Sequence, residues 1–222
     1  MTIETMTFDT ANGQTTAFVA KPESAENSRF VILIHEWWGL NEHIKDIARR
    51  YAAEGFVAIA PDLYRGKIAT NPEEASKLMH ELAIEDGLET IKSTMEAARA
   101  SYGAAHFGIS GYCMGGTFAL RAACELDGIS ASAPFYGDIP DESILAKLRA
   151  PVVFVSGKRD AWINPEKVAT LEDAAARFGL NVTSVKYDAD HAFFNNTRPE
   201  VFDAVAAGDA WATVTGFFNE KL

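Results

Sequence analysis

The chain has 222 residues, of which 48% are hydrophobic and 23% charged, and its formal net charge is −11. This length and composition predict a single domain, spanning residues 1–222, with a sizeable buried core. The acidic charge argues against nucleic acid and anionic membranes as partners, because both need a basic surface. Its two cysteines, Cys113 and Cys124, are too few for a disulfide framework. With no signal-peptide pattern and no apolar run of membrane-spanning length, we expect a soluble cytoplasmic protein.

The first predicted elements form a β-hairpin. Alternating residues around Met6–Phe8 and Thr16–Phe18 flank Asn12-Gly13, which is a strong signal for a two-residue turn. A polar loop is predicted at Glu23–Ser28. The continuous apolar run Phe30–Ile34 then predicts a central strand that is covered on both faces. We expect the hairpin to lie antiparallel at one edge of the sheet.

Helical and strand patterns alternate through the rest of the chain. The predicted elements are helix Asn41–Glu54, strand Phe56–Ala60, a helical stretch from Asn71 to about Tyr102 with a break near Asp86-Gly87, strand His106–Ile109, a helix ending at Leu126, strand Ile129–Tyr136, helix Asp141–Leu148, strand Val152–Ser156, helix Pro165–Phe178, strand Val182–Tyr187 and a last helix near Val201–Phe218. This alternation predicts an α/β fold, a mainly parallel sheet of about eight strands with helices on both faces. Ligands of such sheets bind beyond the carboxyl ends of the strands, so chemistry is expected there.

A candidate nucleophile follows the strand that begins at His106. In Gly111-x-Cys113-x-Gly115, a sharp strand-to-helix turn pushes the Cys113 side chain into the cleft, and the glycines let strand and helix approach closely. The positive end of the following helix is expected to lower the thiol pKa from about 8.5. The alternative is a glycine-rich turn that holds a buried, inert cysteine.

A candidate acid and a candidate base follow two later strands. Asp160 comes after the strand that ends at Ser156, and His191 comes after the strand that ends at Tyr187. The order nucleophile, acid, base is that of α/β-hydrolases. In this interpretation Cys113 attacks a carbonyl, His191 carries the proton and Asp160 orients the imidazole. Asp188 and Asp190 are rival acids, expected instead to be loop or capping residues because they lie so close to His191 in sequence.

The loop after the first central strand supplies further candidates. It reads His35-Glu36-Trp37-Trp38-Gly39-Leu40 and occupies the place of the loop that donates one oxyanion-hole amide in α/β-hydrolases. The backbone amides of Trp37 and Met114 are therefore predicted to form the oxyanion hole. Glu36 places a carboxylate close to the cysteine; the alternative is a solvated loop acid.

Together these motifs resemble the dienelactone hydrolase family, the carboxymethylenebutenolidases. The resemblance extends from the Glu36 loop through Pro61-Asp62-Leu63-Tyr64 and the elbow Gly111-Tyr112-Cys113-Met114-Gly115-Gly116 to Asp160 and His191-Ala192-Phe193. It implies an eight-stranded α/β-hydrolase core and a Cys113–His191–Asp160 triad that hydrolyses a small carboxylic ester or lactone through an acyl-enzyme. It also implies that Glu36 hydrogen-bonds the resting neutral thiol and helps to deprotonate it when substrate binds.

The chain departs from the family at the arginines that hold the substrate carboxylate. Asn195 stands where one arginine is expected, and the segment Asn71–Glu81 offers only Lys77 as a full cation. A lost arginine clamp weakens carboxylate recognition, so another cation is needed for a substrate carboxylate. Arg198 and Arg65 are the candidate substitutes. Phe193, Asn195 and Tyr136 are the predicted substrate-binding residues.

Other interpretations of the same motifs remain open. They are a thioesterase or other acyl hydrolase on this scaffold, and a non-catalytic binding or redox-sensing relic. A glutaminase-type amidotransferase is disfavoured because no glutamate stands two residues after His191. No cofactor or metal site is predicted, since the chain contains no dinucleotide or Walker A motif and its remaining histidines lack ligand spacing. The oligomeric state is expected to be a monomer or a small homo-oligomer.

Overall fold

The computed structural model describes residues 1–23 and 29–222, so the polar loop predicted at Glu23–Ser28 lies outside the described residues except for Glu23. The strands are β1 (Thr2–Thr10), β2 (Gly13–Lys21), β3 (Arg29–Ile34), β4 (Phe56–Pro61), β5 (Phe107–Tyr112), β6 (Ile129–Phe135), β7 (Val152–Gly157) and β8 (Val182–Tyr187). The helices are α1 (Glu42–Ala53), α2 (Pro72–Glu81), α3 (Ile84–Tyr102), α4 (Met114–Glu125), α5 (Glu142–Leu145), α6 (Pro165–Phe178) and α7 (Ala204–Lys221).

The described strands form one eight-stranded sheet in the order β1-β2-β4-β3-β5-β6-β7-β8. β1 and β2 pair antiparallel and lie at one edge, and β2 is also antiparallel to β4. The strands from β4 to β8 run parallel, which confirms the predicted architecture. Consequently the carboxyl ends of β3, β5, β7 and β8 meet at the same edge of the sheet.

Helices cover both faces of this sheet. Val31 and Leu33 of β3 pack in one hydrophobic cluster with residues of α1 and α7. The alternate residues of the same strand, Phe30, Ile32 and Ile34, pack in a second cluster with residues of α3 and α4. Successive side chains of a strand point to opposite faces, so an unbroken apolar strand indicates a sheet buried on both sides.

Several predicted boundaries are wrong. The hairpin loop is Ala11-Asn12 rather than Asn12-Gly13, because Gly13 already pairs with Thr10, with φ +113°. The predicted helix break at Asp86-Gly87 lies instead between α2 and α3, at residues 82–83. Gly87 is inside α3, where a Cβ would come within 2.1 Å of the Phe118 ring, so this glycine permits close packing of α3 on α4.

Other helix ends are set by capping side chains. Asn71 begins α2 by accepting a hydrogen bond from Glu74 N, with Pro72 at the first position. The last helix begins at Ala204 rather than near Val201, because the Asp203 carboxylate accepts from two backbone amides of its first turn. No helix among residues 1–23 and 29–222 is both long and apolar enough to cross a bilayer.

Candidate active site

Cys113 occupies the turn between β5 and α4 in a strained backbone conformation. Its φ is 54° and its ψ is −118°, a combination that costs a non-glycine residue free energy. The turn is held from one side by a hydrogen bond from Cys113 N to Phe135 O of 3.1 Å. The thiol therefore projects from the carboxyl edge of the sheet, at the N-terminus of α4, and remains partly exposed.

Three glycines allow this turn to form. A Cβ on Gly111 would lie 2.1 Å from Gly115 O, and a Cβ on Gly115 would lie 2.3 Å from Ile34 O. A Cβ on Gly116 would lie 2.4 Å from Phe135 O. These distances are far below contact distances, so the sequence Gly-x-Cys-x-Gly-Gly is required by backbone packing around the cysteine.

The structure brings His191 and Asp160 together. His191 Nδ1 donates a hydrogen bond of 2.6 Å to Asp160 Oδ2, and Asp160 is itself buried. The other carboxylate oxygen, Oδ1, accepts from the backbone amides of Trp162 and Ile163 at 2.8 and 2.9 Å. Although burial raises the pKa of Asp160, these bonds and the neighbouring His191 lower it overall, so the carboxylate stays ionised.

The two rival acids take other partners. Asp188 and Asp190 both form ion pairs with Arg159, at 2.5 and 3.3 Å. They lie on the surface, and Asp160 is the carboxylate that His191 contacts.

The thiol of Cys113 is not acidified, in contrast to the expectation from the helix N-terminus. Its pKa is raised to about 12, chiefly by loss of hydration and then by the neighbouring Glu36 and Asp160, against the lowering effects of the Met114 amide and Arg198. Burial and two carboxylates therefore outweigh the helix dipole, whose influence is typically small. The resting cysteine is a neutral thiol.

Glu36 is a buried carboxyl group, only 2% exposed. Burial raises its pKa to about 7, against the opposing effects of a hydrogen bond from Asn195 and the charge of Arg198. Asn195 Nδ2 donates to Glu36 Oε2 at 2.7 Å. Among the described residues no hydrogen bond joins Glu36 to Cys113, so Glu36 acts on the thiol here through its charge.

Backbone strain is concentrated around these side chains. In the described part of the chain, four non-glycine residues have positive φ: Arg65, Cys113, Tyr136 and Ala192. Cys113 follows β5, Tyr136 follows β6, and Ala192 follows His191. Strained residues of this kind cluster at functional sites, where the surrounding structure holds them in place.

Two buried polar atoms at the site have no hydrogen-bond partner among the described residues: His191 Nε2 and the hydroxyl of Tyr136. Tyr136 is 1% exposed, and its ring lies 5.0 Å from the imidazole of His191, centroid to centroid. An unsatisfied buried polar atom is costly, so these two atoms mark a place where a ligand can bind.

The remaining predicted residues are placed as follows. Phe193 is completely buried, and its ring packs on Tyr136 and Tyr187 in the core. Asn195 is 1% exposed and is bonded to Glu36. Trp37 lies in the turn closed by a hydrogen bond from Gly39 N to Glu36 O, and the amide of Met114 adjoins the thiol closely enough to lower its pKa.

The two candidate arginines differ in their surroundings. Arg65 forms a two-pronged ion pair with Asp86, at 2.9 and 2.6 Å. Arg198 donates through Nε to Glu200 at 2.8 Å, and its charge also acts on Glu36 and Cys113. Of the two, Arg198 is the one whose charge reaches the site.

Sequence reasoning missed Trp162. Its side chain is 62% exposed, yet its ring lies 4.8 Å from the His191 imidazole in an edge-on arrangement. Its position two residues after Asp160 was the available signal. The exposed indole forms part of the surface beside the base.

A cavity of about 590 Å³ in the described part of the chain is distant from this chemistry. It lies at the amino ends of β3 and β4, and its lining includes Lys21, Arg29, Tyr102 and His106 but no cysteine. Within residues 1–23 and 29–222, no cluster of three or more His, Cys, Asp or Glu side chains could hold a metal ion.

Comparison with known proteins identifies the family of this chain. Residues 15–222 match the model of the dienelactone hydrolase family. Protein usf of Aquifex pyrophilus is 36% identical over 204 residues, which cover 86% of this chain and 88% of that protein. A protein of Aquifex aeolicus (strain VF5), assigned by name to the carboxymethylenebutenolidases, is 34% identical over 218 residues, covering 92% and 93% of the two chains.

A solved structure gives the same result in three dimensions. The crystal structure of a Klebsiella pneumoniae subsp. pneumoniae MGH 78578 protein, assigned by name to the dienelactone hydrolases, superposes with a TM-score of 0.89. The sequences are 27% identical, and the alignment covers 99% of each chain. The chain therefore belongs to the dienelactone hydrolase family and is a hydrolase that acts on esters or lactones.

Proposed function

We propose that this protein hydrolyses a carboxylic ester or lactone with Cys113 as the nucleophile, His191 as the base and Asp160 as the acid that orients it. The observation that supports this proposal is the arrangement of the cysteine and the His191–Asp160 pair at the carboxyl edge of the sheet. A cysteine held in a strained turn at a helix N-terminus follows one strand, and an imidazole that a buried carboxylate holds by a 2.6 Å bond follows another; that carboxylate, Asp160, is close enough to raise the pKa of the thiol. An ionised Asp160 fixes the proton of His191 on Nδ1, which leaves Nε2 free to accept a proton.

The reaction proceeds in two halves. In the first, Cys113 passes its proton to Nε2 of His191, Sγ bonds to the acyl carbon, and the carbon–oxygen bond to the alcohol breaks as His191 donates that proton to the leaving oxygen. In the second, water attacks the acyl-enzyme and gives a proton to His191, the carbon–sulfur bond breaks to release the acid, and His191 returns the proton to Sγ. The backbone amides of Trp37 and Met114 would stabilise the oxyanion of each tetrahedral intermediate.

The neutral thiol of Cys113 must lose its proton before it can attack a substrate. With a pKa near 12, Cys113 is almost entirely protonated at neutral pH. Such a thiol is protected from oxidation, because oxidation follows thiolate character. Glu36, with a pKa of about 7, is able to take up a proton near neutral pH, and the family resemblance assigns it this role toward the thiol when substrate binds.

The substrate is expected to fill the space beside Tyr136 and Trp162. The unpartnered Tyr136 hydroxyl offers a donor to an oxygen of the substrate, and the exposed indole of Trp162 offers an apolar wall. Arg198 is the candidate cation for a substrate carboxylate.

The test compares wild type with Cys113→Ala on a dienelactone and on p-nitrophenyl acetate. Cys124→Ala is the matched control, because Cys124 is a thiol on α4 that packs in the core with Leu120 and Phe154. We expect Cys113→Ala to abolish turnover and Cys124→Ala to retain it. If Cys113→Ala retains wild-type turnover of both substrates, the nucleophile is wrongly assigned. Cleavage of p-nitrophenyl acetate alone would keep the mechanism and move the substrate to less acidic esters.

A further inference from the structure

Asn195 has a geometry unlike that of a substrate-binding side chain. It is 1% exposed, and its amide nitrogen, Nδ2, donates to Glu36 Oε2 across 159 residues of sequence. This is the one side-chain hydrogen bond found for the Glu36 carboxyl among the described residues. A buried carboxyl group depends on such a donor, because burial without a partner is strongly unfavourable.

The orientation of the Asn195 amide is itself fixed. Its oxygen, Oδ1, accepts hydrogen bonds from Thr197 N at 3.0 Å and from Thr197 Oγ1 at 2.7 Å. A carboxamide whose oxygen is occupied by two donors must present its NH2 group on the other side. Thr197 therefore determines that Asn195 faces Glu36 as a donor rather than as an acceptor.

The same turn carries the base. Asn195 N donates to Ala192 O at 2.9 Å, and Ala192, with φ 62°, directly follows His191. Arg198 N in turn donates to Asn195 O at 3.1 Å. One short turn thus sets the position of the base and of the group that holds Glu36.

We propose that Asn195, locked by Thr197, is a positioning residue that holds Glu36 beside Cys113 in both its protonated and its ionised form. This inference rests on the proposed function, in which Cys113 is the nucleophile. An amide NH2 donates to a carboxylate oxygen, and more weakly to the carbonyl oxygen of a protonated carboxyl group. An arginine in its place would form an ion pair and keep the carboxylate ionised, so a neutral donor is what lets Glu36 exchange a proton without moving.

The other titratable and charged groups that face Glu36 are Cys113, Tyr136 and Arg198. The preceding His35 is turned away from the carboxyl group, since its Nδ1 bonds Glu36 O and its Nε2 accepts from Leu63 N. Among the described groups, Asn195 is therefore the neutral one that contacts the carboxyl directly, and its removal is expected to act on Glu36 first.

The experiment uses Asn195→Leu and Thr197→Val, with Asn196→Leu as the matched control. Asn196 belongs to the same turn, is exposed, and directs its side-chain oxygen to His43 instead. The first readout is the infrared carbonyl band of the protonated Glu36 carboxyl, identified by its loss in Glu36→Gln and titrated with pH. The second is the pH dependence of kcat/KM on p-nitrophenyl acetate.

In Asn195→Leu the midpoint of the Glu36 band is expected to rise by about one pH unit, because a bond to the ionised form is lost. The Thr197→Val midpoint should move less and in the same direction, and the Asn196→Leu midpoint should stay in place. KM should change less than about twofold, because the residue does not touch substrate. The Thr197→Val variant keeps the test valid if Asn195→Leu does not fold.

An unchanged Glu36 midpoint in Asn195→Leu, or in Thr197→Val if that variant alone folds, would overturn the proposal. So would a large rise in KM with an unchanged pH profile, which would make Asn195 a substrate-binding residue. The infrared titration does not depend on turnover. Failure of the proposed function, seen as full activity of Cys113→Ala, is therefore distinguishable from failure of this inference.

Discussion

Replacing Glu36 by glutamine is expected to stabilise the folded protein above neutral pH. The wild-type carboxyl group is buried, and its pKa is raised from 4.5 to about 7 by that burial. Below pH 4.5 the group is protonated in the folded and unfolded states alike, and stability is unaffected. As the pH rises toward 7, the unfolded chain releases the proton and the folded protein does not, so the wild type loses stability over this window.

The size of the effect follows from the shift in pKa. One pKa unit corresponds to about 1.4 kcal/mol, so the buried carboxyl costs the wild type about 3 kcal/mol above pH 7. Glutamine has no such proton to lose, and its oxygen can still accept the hydrogen bond from Asn195. Between pH 5 and pH 8 the stability advantage of Glu36→Gln should therefore grow by about 2.5 kcal/mol. That difference corresponds to about 5–10 °C in Tm for a chain of this length.

Urea unfolding of the two proteins at pH 5, 6, 7 and 8 measures this growth directly. Glu42→Gln is the control, because Glu42 is exposed and hydrogen bonds from Lys45 and Arg49 lower its pKa. The stabilising contribution of the ionised Glu42 carboxylate is complete above the ordinary pKa of the group and is lost only as the pH falls. The difference in free energy of unfolding between Glu42→Gln and wild type should therefore not grow between pH 5 and 8. If the difference in free energy of unfolding between Glu36→Gln and wild type is equally constant, Glu36 is not a buried acid with a raised pKa.

Three further outcomes are expected. Alkylation of Cys113 by iodoacetamide in the free enzyme should accelerate about tenfold for each pH unit between 6 and 9, because the thiol pKa is near 12. Equal alkylation rates at pH 6 and pH 8 would contradict a neutral resting thiol. Asp160→Asn should lower kcat by about 10²–10⁴-fold with intact folding, because His191 loses the carboxylate that fixes its tautomer, and an unchanged kcat would reassign the acid. Gly116→Ala should lower the free energy of unfolding in urea by about 1–3 kcal/mol or more, since the added Cβ would lie 2.4 Å from a backbone oxygen. Gly208→Ala, with nothing within 4 Å of its Cβ, should instead stabilise α7 by about 0.5–1 kcal/mol; similar effects of the two alanines would show that crowding around Gly116 is unimportant.

Much of the fold was predictable from local patterns. The apolar run at Phe30–Ile34 and the glycines around Cys113 correspond to a strand buried on both faces and to a turn too tight for any Cβ. Both features can be read from a few consecutive residues, although the atoms that crowd Gly115 and Gly116 belong to Ile34 and Phe135, which are distant in the chain. The boundaries at Gly13 and Gly87 were mispredicted because glycine is required for two reasons, turn conformation and close packing, which look alike in a sequence.

The candidate site was predictable as a set of residues but not as a set of contacts. Strand order and position placed Cys113, Asp160 and His191 at the same edge, since the carboxyl ends of parallel strands meet there. The sequence favoured Asp160 over Asp188 and Asp190 because the latter two lie so close to His191 in the chain, but it did not reveal their partner, which in the structure is Arg159.

The electrostatics of the site are a property of the tertiary structure. Local sequence predicts that the N-terminus of α4 lowers the pKa of the Cys113 thiol, yet burial together with Glu36 and Asp160 raises it. Asn195 was predicted to contact substrate from its position after His191, and it instead bonds a carboxyl group 159 residues away. The sequence by itself determined which side chains reach the carboxyl edge of the sheet, because that follows from strand order and local turns. Only the tertiary structure decided how those side chains pair and how far they lose water, because both depend on groups that are distant in the chain and close in space.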